Sequence, residues 1–504
     1  MAIEQGGKTA RGDHRDRAAD LLGIVLTHGH EDHIGAIPYL ANDLGVPLYA
    51  TPFTAGLIAK KLEEEGLTKE VKLNIIPMGG TLTLGDFTFK YVALAHSIPE
   101  GNALVIDTPY GRIFHTGDWK LDDGPLMGTP ATAEELTAIG DSGVLALIGD
   151  STNVFNDEAS GSETDVREGL LKVVKARKRG RVVVTTFASN AARLATLGWV
   201  AKETGRHLVL AGRSMDRITE VAKSVGYLKD MPPIMSWADA ARADPSKILI
   251  LCTGAQGEPA AALSRIADGS HPALKLEKGD VVIYSSKQIP GNELAIGRVQ
   301  NALATRGIEV ITEKQAHVHV SGHPGRPELE AMYEWIRPEI AIPVHGERRH
   351  MEAHAALALE NGVPRAMVPI NGSAIRLAPD GPKLLGHEPA GRLVLDGDVI
   401  LPANGATIVE RRRLMMNGYM GVSIVLGRDG RLAAAPVVNI QGVPVEEDKG
   451  NFLGECADAA AAAATKADAR NEGKYADAIR VAVRRVAREW TGKKPVTEIQ
   501  VTRL

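Results

Sequence analysis

The chain has 504 residues, too many for one ordinary core, so two or three domains are expected. Its 44% hydrophobic and 24% charged residues suit a globular protein, and a net charge of −4 excludes any global attraction to a polyanion, which local patches or metal ions would have to hold. Two cysteines exclude a disulfide framework and suit a reducing cytoplasm, and no apolar run approaches the ~20 residues that cross a bilayer.

The first apolar run, LLGIVL (21–26), reads as a strand covered on both faces, and THGHEDHIG follows directly. His28, His30, Asp32 and His33 are thereby crowded onto a strand's end, where a bound cation would compensate the acids. A solvated polar loop is the plainer alternative. Up to residue 150 apolar strand runs alternate with glycine turns, in LTLGDFTFKYVAL, NALVIDTPYGRIFHTGD and VLALIGD. Strand ends deliver further donors: His96 in YVALAHS, Asp118 in GRIFHTGD and, much later, His345 in IAIPVHGE. Together with the opening motif these are seven candidate ligands, enough for two ions with a position left open for water.

From about 165 to 320 helical patterns such as REGLLKVVKARKRG alternate with solid apolar runs, RVVVTTF, HLVLAG, KILILCTG and DVVIYSS, which is the pattern of a parallel βαβ sheet. Ser189 and Asn190 in FASN fall at a strand-to-helix turn, suited to an anion and equally to a plain helix cap. Cys252 in ILILCTG reads as a small buried hydrophobe, and Arg213 in LAGRSM as a phosphate contact or a structural hydrogen-bond donor. The basic stretches KARKRGR (175–181) and RVAVRRVAR (480–488) read as solvated helix faces ahead of RNA contacts. Beyond about 400, ERRR (410–413) fits a linker, RDG a hairpin turn, DAAAAAATKADAR a helix, RVAVRRVAREW a basic helix and PVTEIQVTRL a strand.

THGHEDHIG, AHSIPEG and HTGDWKLD resemble the metal motifs of the metallo-β-lactamase superfamily. DSTN, FASN, GAQGEP, SSKQIPGNE, HVHVSGH and PVHGE resemble its β-CASP branch, specifically the ribonuclease J family, over about residues 21–415 and more weakly beyond. The resemblance implies an α/β chain: a metallo-β-lactamase αββα sandwich (1–164 and 326–400), an inserted β-CASP α/β domain (165–325), a linker region (401–430) and a small α+β C-terminal domain (431–504). It also implies two divalent ions, zinc ahead of manganese, with His28, His30 and His96 on one, Asp32, His33 and His345 on the other, and Asp118 bridging. Asp32, Asp118 and His323 are the implied catalytic groups, His323 orienting the scissile phosphate or protonating the leaving 3′ oxygen, and Asp150 a supporting acid beside the ligands. Ser189, Asn190 and the segment His319, Val320, Ser321, Gly322, His323 would hold RNA phosphates.

The implied activity is 5′-to-3′ exonucleolytic and perhaps endonucleolytic hydrolysis of single-stranded RNA with a 5′ monophosphate, in mRNA decay and rRNA maturation. A homodimer or tetramer, RNA-decay or ribosome-associated partners, a cytoplasmic location and no membrane contact go with it. Two alternatives remain: a hydrolase of a small ester or thioester, and an RNA-binding member with impaired catalysis. The family carries strands and an acidic motif ahead of its first metal motif, to which Asp13, Asp16 and Asp20 do not correspond. The chain is therefore expected to be shortened at its start by about 50 residues, and poorly soluble or weakly active.

Overall fold

The structure, a computed structural model, describes residues 20–397 and 399–504 and divides after residue 390 into two compact units. In the first unit a seven-stranded sheet runs Arg365–Ala366, Ile340–Val344, Ala146–Asp150, Gly111–His115, Asn102–Thr108, Phe87–Ala93, Thr81–Leu84. The first four strands pair parallel and the rest antiparallel. The chain leaves this sheet at Asp150 and returns beside it, with Val344 opposite Asp150, so the residues after both strands end up adjacent. A small parallel sheet of Ile24–Val25, Leu48–Ala50 and Leu73–Ile75 is tied to the large one by the Tyr91 hydroxyl, which donates to the carbonyls of Leu26 and Tyr49, both at 3.2 Å.

Between those strands lies an all-parallel sheet of His207–Ala211, Ile248–Cys252, Val182–Thr185, Val281–Tyr284 and Glu309–Ile311, in that spatial order. Its unbroken apolar runs are explained by burial on both sides. Val182, Val184, Leu249, Leu251, Val281 and Ile283 enter one core with helices Glu163–Ala176 and Ala191–Thr204. Val183, Ile248, Ile250, Cys252 and Val282 enter another with helices Ala262–Asp268 and Glu293–Thr305. Each fully buried aliphatic side chain contributes about 1.5–3 kcal/mol. Cys252 is thus the small core hydrophobe its context suggests, and burial pushes its thiol up to about 12.

The second unit has a sheet of Val437–Gln441, Tyr419–Leu426 and Val496–Arg503. The central strand alternates, sending Met420, Val422, Ile424 and Leu426 into the core against helices Lys449–Lys466 and Glu472–Thr491. Those helices answer with Phe452, Cys456, Ala460, Ala464 and with Tyr475, Ile479, Val483, Ala487, one residue per turn on each inner face. The alanine-rich, basic helix and strand expectations for this region hold, as does the RDG turn, where the Gly427 amide donates to the Arg431 carbonyl at 2.8 Å.

Some expectations change. Among the described residues LLGIVL contributes only Ile24–Val25 to a sheet edge, with Leu21 and Leu22 42% and 50% exposed. Gly23 interrupts the run, and an edge strand has one neighbour to align it. ERRR is not irregular chain: it lies in helix Ala406–Asn417, a stretch without internal glycine or proline. The basic stretches are partly committed elsewhere. Arg177 forms a fork with Glu309 and Arg181 pairs with Asp280, while Arg480 and Arg484 donate to the carbonyls of Thr497 and Pro495. Asp20 is exposed, and Asp13 and Asp16 lie outside the described residues.

One buried carboxylate joins segments far apart in sequence. Glu328, 3% exposed, accepts from the amides of Leu121 (2.8 Å), Ser160 (2.9 Å) and Gly325 (2.6 Å) and from the Ser160 hydroxyl (2.6 Å). Glu328→Ala would strand these donors at a cost of about 3–5 kcal/mol, read as a lowered denaturation midpoint, with Glu328→Gln intermediate. An unchanged midpoint would refute the tie. Burial also pushes the Cys456 thiol up to about 11, so at pH 8 a thiol reagent should label neither cysteine of the native protein and both after denaturation.

Candidate metal centre

After the short edge strand an irregular segment leads to His30, itself extended, and the chain then closes into one helical turn, Glu31–Ile34. His28 and His30 thus precede the turn, and the turn brings Asp32 and His33 to the same cluster. His96 follows Phe87–Ala93, Asp118 follows Gly111–His115, and His345 follows Ile340–Val344, all strands of the large sheet. Gly117 makes Asp118's approach possible, because at φ 58° a Cβ there would stand 2.6 Å from the Asn102 carbonyl oxygen.

All seven expected ligands converge. Donor atoms of His28, His30, His96 and Asp118 lie within 4.8 Å of one another, as do those of Asp32, His33, Asp118 and His345. Asp118 belongs to both groups. Its Oδ2 lies 3.2 Å from His33 Nε2, 3.3 Å from His345 Nε2, 3.6 Å from His28 Nε2 and 3.9 Å from His96 Nε2. Asp32 Oδ2 is 3.3 Å from His345 Nε2 and 3.5 Å from His33 Nε2.

The far sides of the rings are held from outside. His96 donates from Nδ1 to the Gly322 carbonyl at 2.5 Å, which leaves its Nε2 facing His30 Nδ1 at 2.9 Å. Gly322 can come so near because a Cβ there would sit 2.8 Å from Ser97 Oγ. His28 Nδ1 meets the Thr27 hydroxyl at 3.1 Å, while its Nε2 is buried without a hydrogen-bond partner.

Electrostatics sorts these groups. Burial, then neighbouring histidines, holds His28 and His96 well below the usual imidazole range, and burial lowers His30 to about 4. These rings are neutral donors at pH 7. Burial pushes the Asp118 and Asp32 carboxyls up, but the former's hydrogen bond to His33 and the latter's to His345 outweigh it, so both ionise below the ordinary carboxylate range. An orphaned buried ring nitrogen, two ring nitrogens facing each other and a shared ionised carboxylate form a nitrogen–oxygen donor set that fits a divalent cation.

A third group adjoins. Asp150, fully buried, takes a hydrogen bond from His323 Nδ1 at 2.7 Å and stands 3.3 Å from His345 Nδ1. Burial would raise its carboxyl, yet His323 and His345 hold it well below its usual range. Conversely burial lowers both rings, and carboxylates more than offset it: Asp150 with Asp118 raises His323, and Asp150 with Asp32 and Asp118 brings His345 to about 11. Thr152 and Asn153, in the same DSTN loop, were not singled out by sequence reasoning. The Thr152 hydroxyl touches His345, and Asn153 Nδ2 donates to the His323 carbonyl at 3.4 Å.

The segment before His323 divides. Ser321 Oγ closes a local turn on His323, accepting from its amide at 3.1 Å. The Val320 side chain is in the core, so only its backbone faces elsewhere. His319 is held well below its usual range by burial and by Arg193, Lys287 and Lys120, and its Nδ1 has no partner. Fully buried Arg193 anchors the segment by pairing with Glu163 and donating to the Val318 carbonyl at 3.1 Å. Asn190 caps helix Ala191–Thr204, accepting from the Arg193 amide at 2.8 Å. Among the described residues no hydrogen bond joins Ser189 or Asn190 to the histidine cluster. Arg213 begins helix Arg213–Ser224 and is exposed.

Comparison with known proteins agrees with this architecture. Four family descriptions match: a beta-lactamase superfamily domain (residues 3–139), a ribonuclease J beta-CASP domain (179–303), a Zn-dependent metallo-hydrolase RNA specificity domain (307–369) and a ribonuclease J C-terminal domain (406–504). Ribonuclease J of Sinorhizobium meliloti is 39% identical over 493 residues, covering 97% of this chain and 87% of the relative. Ribonuclease J 1 of Streptococcus pyogenes is 36% identical over 447 residues, covering 88% and 79%. Ribonuclease J of Corynebacterium glutamicum is 39% identical over 439 residues, covering 86% and 60%. With its metallo-β-lactamase, β-CASP and C-terminal domains, this chain belongs to the ribonuclease J family.

Proposed function

We propose that this chain is a two-metal phosphodiester hydrolase that degrades single-stranded RNA from its 5′ end and also cuts internally. The observation that carries the reading is Asp118, one carboxylate shared by two four-residue donor groups. His28, His30 and His96 would hold one ion and Asp32, His33 and His345 the other, with zinc preferred on a histidine-rich set and manganese able to substitute. Two bound ions supply Lewis acidity and charge compensation for attack of water on phosphorus.

The protein's own groups do the rest. Asp118 and Asp32 keep the centre anionic. His323, held by Asp150 and charged more readily than an ordinary imidazole, orients the scissile phosphate and gives its proton to the leaving 3′ oxygen. Ser321, the Gly322 amide and His319, with the Val320 backbone, receive phosphates, and the partnerless His319 Nδ1 among cationic neighbours suits an anion. Ser189 and Asn190 assist at the 5′ end. A hydrolase of small esters has no use for an inserted domain that reaches the ligands through Gly322 and His323, which favours the RNA reading. We place the β-CASP insert at 165–325, and the protein's work in cytoplasmic mRNA decay and rRNA maturation as a homodimer or tetramer.

Asp118→Ala and His30→Ala should retain the fold by circular dichroism, lose bound metal and cut hydrolysis of 5′-labelled RNA by more than about 100-fold, the upper end of what losing a merely supporting contact costs. Full activity in metal-depleted Asp118→Ala would overturn the two-metal mechanism. RNA with a 5′ monophosphate should be degraded faster than triphosphorylated RNA and release mononucleotides in 5′-to-3′ order, because two further phosphates add charge and bulk without partners. Equal rates with internal products only would make the enzyme an endonuclease.

A further inference from the structure

His345 has an unusual setting: its backbone is left-handed, at φ 54°, and its ring reaches three carboxylates. Nε2 faces Asp32 and Asp118, and Nδ1 faces away, toward the DSTN loop. There Thr152 Oγ1 lies 2.8 Å from His345 Nδ1 and, simultaneously, 2.8 Å from the His345 carbonyl oxygen. The Thr152 amide donates to Asp150 Oδ1 at 2.9 Å, which fixes the loop beneath the hydroxyl.

Counting protons decides the ring's state. A hydroxyl has one proton and two lone pairs. A carbonyl oxygen only accepts, so the contact with the His345 carbonyl consumes the Thr152 proton. Toward the ring the hydroxyl can then only accept, so Nδ1 must carry hydrogen. The second group near Nδ1, Asp150 Oδ1 at 3.3 Å, is a carboxyl oxygen that already accepts from the Thr152 amide, and it too calls for a donor. A ring that binds a metal is neutral, and with its one proton on Nδ1 the lone pair falls on Nε2, the atom aimed at Asp32 and Asp118.

We infer that Thr152 is a positioning residue that fixes the tautomer and orientation of His345, presenting the Nε2 lone pair to the metal held with Asp32, His33 and Asp118. The inference rests on the proposal that His345 is a metal ligand. Thr152 grips the same residue twice, once at the ring and once at the backbone carbonyl, and thereby also holds the left-handed turn. Loss of such a supporting contact typically lowers metal affinity about 10- to 100-fold.

The exposure of Thr152 makes the substitutions informative. Thr152→Ala leaves room for a water to take over both bonds, Thr152→Val fills that room with a methyl group, and Thr152→Ser restores the hydroxyl. The full chain loaded with Zn²⁺ is dialysed against graded chelator and its metal content measured, with Co²⁺-loaded protein followed by visible absorption and melting curves as the check on folding. The order expected for retention of the more labile ion is Ser near the parent, then Ala, then Val, with Val releasing it at about 10- to 100-fold lower chelator strength and a changed Co²⁺ spectrum. If Val retains both ions as tightly as the parent, or Ser behaves like Val, the inference is overturned. His345→Ala separates the two levels: if it too keeps both ions, His345 is not a ligand and the underlying reading fails instead. Should Val not fold, Ala against Ser makes the same comparison.

Discussion

Asp118 carries one negative charge, out of reach of water, into the midst of His28, His33, His96 and His345, with every facing ring nitrogen within 3.9 Å of a single oxygen. A buried charge of this kind survives only if its surroundings compensate it. His28 and His96 cannot do so by protonation, because burial and mutual repulsion keep them neutral. Compensation falls to whatever cation the donor set admits or, without one, to His345, whose proton Asp150, Asp32 and Asp118 together favour.

Holding the arrangement takes contributions from three parts of the first unit. The small sheet delivers the dense motif, strand ends of the large sheet deliver His96, Asp118, Asp150 and His345, and the segment after the last strand of the parallel sheet delivers Gly322 and His323. The insert is fixed by buried charge of its own. Arg193 pairs with Glu163 and binds the carbonyls of Ser285 and Val318, just ahead of the segment that touches His96. Such a pair adds little net stability, since desolvation offsets most of the attraction, but it admits few alternative geometries. Glu328 does the same for the loops at 121 and 160. These ties restrict how the separate chain segments that carry the donors can move relative to one another.

Legibility differed with the kind of signal. The parallel-sheet insert was readable because VVV, ILIL and VVI are apolar on both faces, which only a strand covered on both sides tolerates. The helix pair of the second unit was readable from alanine content and basic periodicity. LLGIVL misled because an apolar run specifies burial but not how many neighbours a strand finds. ERRR misled because charge density suggests solvent, which a helix exposed almost all round satisfies as well as an irregular linker does.

The sequence by itself determined the chemistry available: three histidines and two acids within six residues, further donors at strand ends, and a family resemblance dense enough to order them. Residue type and local spacing are short-range properties, and donor identity needs nothing more. What only the tertiary structure decided is which nitrogen of each ring faces inward. That depends on Gly322, Thr152 and Asp150, which approach His96 and His345 from positions up to 226 residues away. A ring's tautomer is set by the partner on its far side, and strand register and domain packing choose that partner.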